Sequence, residues 1–162
     1  MARQFSLPYQ IPPTAMLAPA ADAAGRTSGY LSLRNALKAY IVVHVNQGNA
    51  ATVALTPLQA QDVSGTGSKA ITATPIWSNA DTATIAAPGA KQTDAVSFTT
   101  SAAVKDKIVI FEITPEQCMD VGNGFRAIAI QTGASNAANI TAAELFILGA
   151  YEQASPPSPL TN

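Results

Sequence analysis

The sequence predicts an all-β protein, an antiparallel β-sandwich of the jelly-roll type with extended N- and C-terminal arms. Three observations support this fold class. Short β-branched segments recur along the 162 residues, turn-forming Gly, Asn, Asp, Pro and Ser separate them, and no long helical pattern interrupts them. Regular short strands with turn signals between them are typical of sandwiches and barrels. The order of the strands in the sheets stays open at this point.

Apolar side chains on both faces mark the two most convincing strands. In residues 38–47, Tyr40, Val42 and His44 lie on one face and Ile41, Val43 and Val45 on the other. In residues 106–114, Ile108 and Ile110 lie opposite Val109, Phe111 and Ile113. We expect burial on both faces, either in a two-layer core or at a subunit contact. Further strands are predicted at residues 51–62, 69–77, 95–100, 125–133 and 143–152.

Both ends of the chain are predicted to be arms around a sandwich domain of residues 28–153. Residues 1–27 are rich in proline and alanine, with no clear amphipathic period, and residues 154–162 form a proline-rich tail. Proline-rich segments favour extended conformations and do not build a core. The apolar side chains available for contacts in the N-terminal arm are Phe5, Leu7, Tyr9, Ile11, Met16 and Leu17.

The charge content excludes some classes of partner. Only 12% of residues are charged, against about 25% in a typical soluble domain. Either partner subunits cover much of the surface, or the surface is neutral and polar. Nine basic against ten acidic residues, without a basic stripe, argue against nucleic acid as a partner. Without an apolar segment of ~20 residues or a signal peptide, we expect no membrane partner and a protein made in a cytoplasm.

The stretch QDVSGTGSKAIT, residues 61–72, resembles a phosphate-binding loop at first sight. Such a loop requires Lys directly after the last Gly, with a helix beginning there. Here Ser68 separates Gly67 from Lys69, and the β-branched residues that follow are a poor helix start. The helix N-terminus that would bind phosphate is therefore not expected. The sequence instead predicts a hairpin turn, with positive φ at Gly65 and Gly67 and local hydrogen bonds from Asp62 and Ser64.

No catalytic, cofactor-binding or metal-binding residues are predicted, and we expect a protein that is not an enzyme. His44 is the single histidine and Cys118 the single cysteine, so neither has the partners that a metal site or a nucleophile requires. The spacing of the acidic residues selects no pair for glycoside hydrolysis. Asp62, Asp81 and Asp94 fall in predicted loops without calcium-loop spacing. Trp77 is either a core or interface residue or part of a sugar-binding shelf.

Three stretches carry a family resemblance: residues 29–70, beginning GYLSLRNALKAYIVVHV; PIWSNAD at 75–81; and TGASNAANITAAELFILGAYE at 132–152. Together they resemble the small head decoration, or cement, proteins of tailed bacteriophages, over about residues 28–155. The resemblance implies a homotrimeric jelly-roll subunit that binds the major capsid protein on the outer surface of the capsid and stabilises the shell. It brings no catalytic residues with it.

Two other functions remain open. One is a different structural component of the virion, such as a neck, tail or fibre-associated β-sandwich. The other is a carbohydrate-binding β-sandwich module, for which Trp77 or tyrosines on one sheet face would be the distinguishing feature.

Overall fold

A computed structural model of the chain describes residues 5–85, 89–151 and 158–161. In these residues two β-sheets pack face to face, and helical structure is limited to short turns. None of the described helices is long and apolar enough to cross a membrane. The helices are α1 (Leu7–Gln10) and α2 (Pro115–Cys118), with a 3₁₀ turn at Val121–Asn123. The strands are β1 (Thr14–Ala21), β2 (Arg26–Thr27), β3 (Leu31–Ser32), β4 (Ala36–Gln47), β5 (Ala54–Ala60), β6 (Lys69–Ala70), β7 (Ile76–Asn79), β8 (Ala90–Lys91), β9 (Phe98–Thr99), β10 (Asp106–Ile113), β11 (Ala127–Thr132) and β12 (Asn139–Gly149).

The strand order confirms the predicted antiparallel sandwich and its jelly-roll type. Sheet 1 has the order β1-β12-β4-β10-β7-β8. Sheet 2 has the order β2-β11-β5-β6, with β3 also paired to β11 and β9 to β5. The chain alternates between the sheets, because β1, β4, β10 and β12 belong to sheet 1 while β2, β5 and β11 belong to sheet 2. This alternation between two antiparallel sheets is the double Greek-key winding of a jelly roll.

Alternating burial along β4 and β10 places the core between the sheets. Every second side chain points inward, because side chains in a strand alternate with a period of two. The inward side chains are Ile41, Val43, Val45, Val109, Phe111 and Ile113, all buried. Their outward neighbours, such as Val42 and Ile110, are half-buried. The two sides assigned from the sequence are therefore confirmed for both strands.

The N-terminal arm is shorter than the predicted residues 1–27. Residues 14–21 form β1, which pairs with β12 at the edge of sheet 1, and residues 26–27 form β2, which pairs with β11. The prediction was wrong here, because an edge strand can contain a proline. Pro19 lies on an edge strand, at a register shift between Leu17 and Ala20. Proline is found at the edges and bulges of sheets, because its nitrogen carries no hydrogen and those positions do not require an N–H for the hydrogen-bond ladder.

The C-terminal tail returns towards sheet 2. Of the predicted tail at 154–162, only residues 158–161 lie in the described part of the chain. The Ser32 N–H of β3 donates a hydrogen bond of 2.7 Å to the Pro159 carbonyl. The predicted end of the sandwich domain, residue 153, lies outside the described residues.

Candidate interaction surface

The residues considered as catalytic candidates lie apart from one another. In the described ranges no three His, Cys, Asp or Glu side chains come close enough together to hold a metal ion. His44 is exposed on the outer face of sheet 1, where it pairs with Ile108 of β10 and Ala142 of β12. Cys118 is buried and donates to the Thr74 hydroxyl at 3.5 Å. A buried thiol with this neutral partner is in a structural position.

The glycine-rich stretch is a hairpin turn between β5 and β6, as predicted. Leu58 and Gln59 of β5 pair with Ala70 and Lys69 of β6, so no helix follows the loop. Gly65 and Gly67 have φ of 87° and 67°, in the left-handed region that favours glycine. In addition, a Cβ at Gly65 would lie 2.8 Å from the Tyr30 ring, so a side chain at that position would require the ring to move.

Asp62 organises this hairpin. Its Oδ1 accepts hydrogen bonds from the backbone N–H groups of Ser64 (2.9 Å) and Thr66 (3.1 Å), and its Oδ2 accepts one from the Thr66 hydroxyl (2.6 Å). The predicted local bonding by Asp62 is therefore confirmed. These hydrogen bonds, chiefly that of the Thr66 hydroxyl, lower the pKa of Asp62 below its usual 3.8.

The Asp62→Asn variant should lose less stability than the wild type on acidification. A carboxyl whose pKa is lower in the folded state than in the unfolded state stabilises the fold at a pH above the unfolded pKa. This contribution is lost as the pH falls through the folded pKa. The free energy of unfolding, measured between pH 5 and pH 2, should therefore fall less steeply for this variant. Asp94→Asn, a change at another loop carboxylate, is the control. Equal slopes for the wild type and Asp62→Asn would contradict the prediction.

A groove of about 440 Å³ lies beside the hairpin, between β6 and the segment after α2. Lys69 Nζ donates to Asp120 Oδ2 at 2.7 Å and lies 4.2 Å from the centre of the Phe125 ring. The ion pair with Lys69, together with a hydrogen bond from Asn123, lowers the pKa of Asp120. Among the described residues that line the groove, Lys69 and Asp120 are paired with each other, so none of these residues offers a free cation to an anionic ligand.

The outer face of sheet 1 carries a concentration of half-buried apolar side chains outside the core. Residues opposite one another in antiparallel strands project on the same side of the sheet. The register therefore places these residues on one surface, which we call the outer face: Lys38, Tyr40, Val42, His44, Trp77, Lys91, Ile108, Ile110, Glu112, Ala142, Glu144, Phe146 and Leu148. An antiparallel sheet that faces water normally presents alternating polar residues on that side.

A shallow depression of about 280 Å³ lies in the middle of the outer face. Tyr40, Trp77, Ile110 and Glu112 line it, and Trp77 is half-buried rather than part of the core. Glu112 forms an ion pair with Lys38, and this hydrogen bond raises the pKa of Lys38 above its usual 10.5. The charged groups next to the depression therefore neutralise each other, and its surface is mainly aromatic and aliphatic.

The six predicted contact residues of the N-terminal arm do not act as one group. Phe5, Leu7 and Tyr9 are 68%, 42% and 86% exposed, and Ile11 is half-buried. Met16 and Leu17 instead belong to β1. Leu17 is buried in the core and Met16 packs against it. The prediction is wrong for these two residues because β1 is part of sheet 1, so their side chains pack in the sandwich rather than in an arm.

A buried ion pair, which the sequence reasoning missed, closes the turn between β1 and β2. The carboxylate of Asp22, which is fully buried, accepts hydrogen bonds from Arg26 Nε (3.1 Å) and from the hydroxyls of Thr132 (2.8 Å) and Thr141. The guanidinium also donates to two carbonyls of β1 and to that of Thr141. Asp22 and Arg26 are four residues apart, but only the fold brings the two threonines to them.

A second buried polar network joins β4, β10 and the loop before β10. Gln47 Oε1 accepts hydrogen bonds from Lys107 Nζ and the Thr100 hydroxyl, both at 2.8 Å. Gln47 Nε2 donates to the Ser101 carbonyl at 2.8 Å, and Lys107 donates also to the Ala103 carbonyl. Lys107 is only 2% exposed, and burial lowers its pKa below the usual 10.5. The alternation of β10 places Lys107 on the inward side with Val109 and Phe111, but only the fold supplies the oxygen acceptors that accompany its burial.

The geometry defines the class of protein: a jelly-roll β-sandwich whose outer face and N-terminal segment offer apolar contact surface. No protein-family model and no curated protein sequence matches the chain. Among solved structures, the crystal structure of the SPBc2 prophage-derived protein YomS is similar, with a TM-score of 0.47 and 8% sequence identity. The alignment covers 83% of this chain and 90% of that one. Similarity at this level has no bearing on function.

Proposed function

We propose that this protein is a non-enzymatic structural component of a tailed-phage virion that binds the major capsid protein and stabilises the capsid from outside. The observation that carries the proposal is the exposed apolar surface of residues 5–9, which precedes a closed sandwich. The resemblance of residues 28–155 to decoration proteins and the low charge content agree with it. The protein would be made in the host cytoplasm and act on the outer surface of the capsid.

The N-terminal segment is suited to attachment because part of its backbone is already ordered, so it loses less conformational entropy on binding. Residues 7–10 form the helical turn α1, and the Ser6 N–H donates to Gln10 Oε1 at 3.0 Å. Fixing a backbone residue costs about 1–2 kcal/mol, so a segment that is already folded loses less on binding. Burying an aromatic ring removes on the order of 100–200 Å² from water, which contributes ~2–5 kcal/mol before these costs. Phe5 and Tyr9 are the two rings available for this contact.

Self-association would strengthen attachment. When several copies are joined, each further arm binds at a raised effective concentration, so affinity increases without a new type of contact. The resemblance to decoration proteins implies a trimer for this purpose. We propose a homo-oligomer in which the arms contact the capsid and the sandwiches contact one another.

Deleting residues 1–11 should separate attachment from folding. Because β1 begins at Thr14 and Leu17 is buried in the core, this truncation leaves both sheets intact, and the thermal midpoint should stay close to that of the full chain. Binding to capsids of the cognate major capsid protein should weaken at least ~10-fold, as the loss of two buried rings implies. Co-sedimentation with capsids measures this binding.

The matched control for the truncation is Leu160→Ser, at a residue that is 67% exposed in the C-terminal tail. This variant should bind capsids as the wild type does. Unchanged binding after loss of residues 1–11 would remove the arm from the mechanism.

Copy number distinguishes decoration from the other virion functions. A cryo-EM reconstruction of the particle should show the protein in hundreds of copies on the head, as the resemblance to decoration proteins implies. A dozen or fewer copies at the neck or tail would favour the other structural role, and absence from the mature particle would overturn both.

One observation supports carbohydrate binding as a second candidate function. Trp77 and Tyr40 lie together on the outer face beside Glu112 and are half-buried. Aromatic rings next to hydrogen-bonding groups can bind the apolar face of a sugar. Because Trp77 is the single tryptophan, a change in its fluorescence on titration with N-acetylglucosamine or glucose oligomers would support this function, and no change would remove it.

A further inference from the structure

One row of the outer face carries opposite charges at the two ends of a five-strand stretch, with Ala15 of β1 beyond the acidic end. The register aligns Glu144 of β12, Val42 of β4, Ile110 of β10, Trp77 of β7 and Lys91 of β8. The three central side chains are apolar and half-buried, whereas Glu144 and Lys91 are exposed. The acidic and the basic end are each two strands from β10. With strands about 4.8 Å apart, they are separated by ~19 Å.

The neighbouring rows add apolar surface without adding net charge. Phe146 and Tyr40 lie in one of them together with Glu112, whose carboxylate is paired with Lys38. Ala142, His44 and Ile108 lie in the other. On β7 the residue paired with Ile108 is Asn79, whose side chain is buried and donates to the Ile85 carbonyl at 2.7 Å.

We propose that a second copy of this chain covers the outer face, related by a two-fold axis that runs parallel to β10 and passes over Ile110. Such an axis reverses the order of the strands but keeps the rows in register. Glu144 of each copy then faces Lys91 of the other, Val42 faces Trp77, and Ile110 meets its counterpart. Two identical sheet faces packed with nearly aligned strands form a standard sandwich contact about 10 Å thick. The contact is isologous, so it closes at two subunits.

Charge complementarity selects this partner over the N-terminal arm. In residues 1–13 Arg3 is the single charged side chain, so the arm offers no acidic group to the Lys91 end of the row. A second copy supplies both charges and an apolar centre of the same width. Lys91 also lies 3.4 Å from Asp94, but both groups are about half exposed, and such pairs are weak enough to yield to another partner. The inference rests on self-association, as the proposed function does, but it replaces the three-fold contact with a two-fold one.

Charge reversal tests the arrangement. The wild type should sediment as a dimer and give a dimer mass under native conditions. Glu144→Lys and Lys91→Glu should each weaken dimerisation ~10-fold or more, because each places like charges opposite one another twice in the dimer. The double variant restores opposite charges and should recover most of the wild-type affinity. Glu116→Lys, at an exposed residue on α2 away from the outer face, is the matched control and should leave the dimer unchanged.

A second variant tests the position of the axis. Ile110→Asp would bring two carboxylates together at the axis, and we expect it to yield a monomer at concentrations ~100-fold above the wild-type dissociation constant. Circular dichroism should show that the sandwich remains folded, because the Ile110 side chain points away from the core. Trp77 fluorescence, which reports directly on the outer face, should shift with protein concentration in the wild type but not in Ile110→Asp.

Several results would overturn the inference. These are a monomeric wild type at 100 µM, a trimer, a dimer that Ile110→Asp does not affect, or a double variant no better than either single one. A Trp77 response to sugars or to a peptide of residues 1–13, without any dependence on protein concentration, would assign the face to that ligand instead. Capsid binding by the wild type and by Ile110→Asp is measured separately, so failure of the dimer does not count against capsid attachment.

Discussion

Replacing Asp22 by alanine should lower the free energy of unfolding by about 3–5 kcal/mol, the range for removing one partner of a buried ion pair. The carboxylate is fully buried and receives hydrogen bonds from Arg26 and two threonine hydroxyls. Without it, Arg26 keeps its positive charge at a site where its side chain is only 23% exposed, and both hydroxyls lose an acceptor. Denaturant unfolding at pH 7 measures the loss.

The control for Asp22→Ala is Asp94→Ala. Asp94 also pairs with a cation, Lys91, but its side chain is 49% exposed, and exposed pairs contribute at most about 1 kcal/mol. The difference between the two variants therefore isolates the effect of burial. If Asp22→Ala cost no more than Asp94→Ala, the cluster would not be holding β1 to the sandwich.

Replacing Gln47 by leucine should lower the free energy of unfolding by about 2–4 kcal/mol, because it removes an acceptor from two buried polar groups, one of them charged. The leucine is close in size, so packing changes little, but Lys107 and Thr100 lose their shared acceptor. Lys107 would then keep only the Ala103 carbonyl as an acceptor among those described. In the wild type no buried side-chain nitrogen or oxygen in the described residues lacks a partner. In the variant Thr100 Oγ1 still accepts from the Val53 N–H, but its own hydrogen has lost its acceptor.

The pH dependence of this variant has a definite sign. The pKa of Lys107 is lowered in the folded state. Between that pKa and 10.5, the unfolded chain therefore binds more protons at this residue than the folded chain does. Stability from this group therefore rises with pH across that window. Gln47→Leu removes an acceptor that stabilises the charged ammonium of Lys107, so the pKa of Lys107 in the folded state should fall further. The increase of stability with pH should therefore begin at a lower pH in this variant. Unfolding measurements from pH 7 to pH 10 test this, with Lys107→Met as the variant that lacks the effect.

The two buried networks lie where strands enter or leave a sheet. Asp22 is located where the chain crosses from β1 to β2, and Gln47 is the last residue of β4. At such points the backbone leaves the ladder, and side chains must satisfy polar groups that the ladder no longer pairs. This explains why a chain with few charged residues places an aspartate and a lysine inside the protein.

The sequence determined the sandwich class, the two faces of β4 and β10, and the hairpin at residues 61–69. Each depends on neighbours in the chain: a period of two marks a strand, and glycine with a short acceptor such as Asp62 marks a turn. The same local information excluded a phosphate-binding loop, because the residues around Lys69 do not begin a helix.

Only the tertiary structure decided the place of residues 14–27, the burial of Asp22, the partners of Lys107 and the layout of the outer face. Ala-rich β1 has little strand propensity of its own, and its pairing with β12 compensates for this. Charges become buried partners only when strands distant in sequence supply the matching groups, as Thr132 and Thr141 do for Asp22. The row from Glu144 to Lys91 likewise depends on register across five strands, and register comes from packing between segments rather than from any one of them.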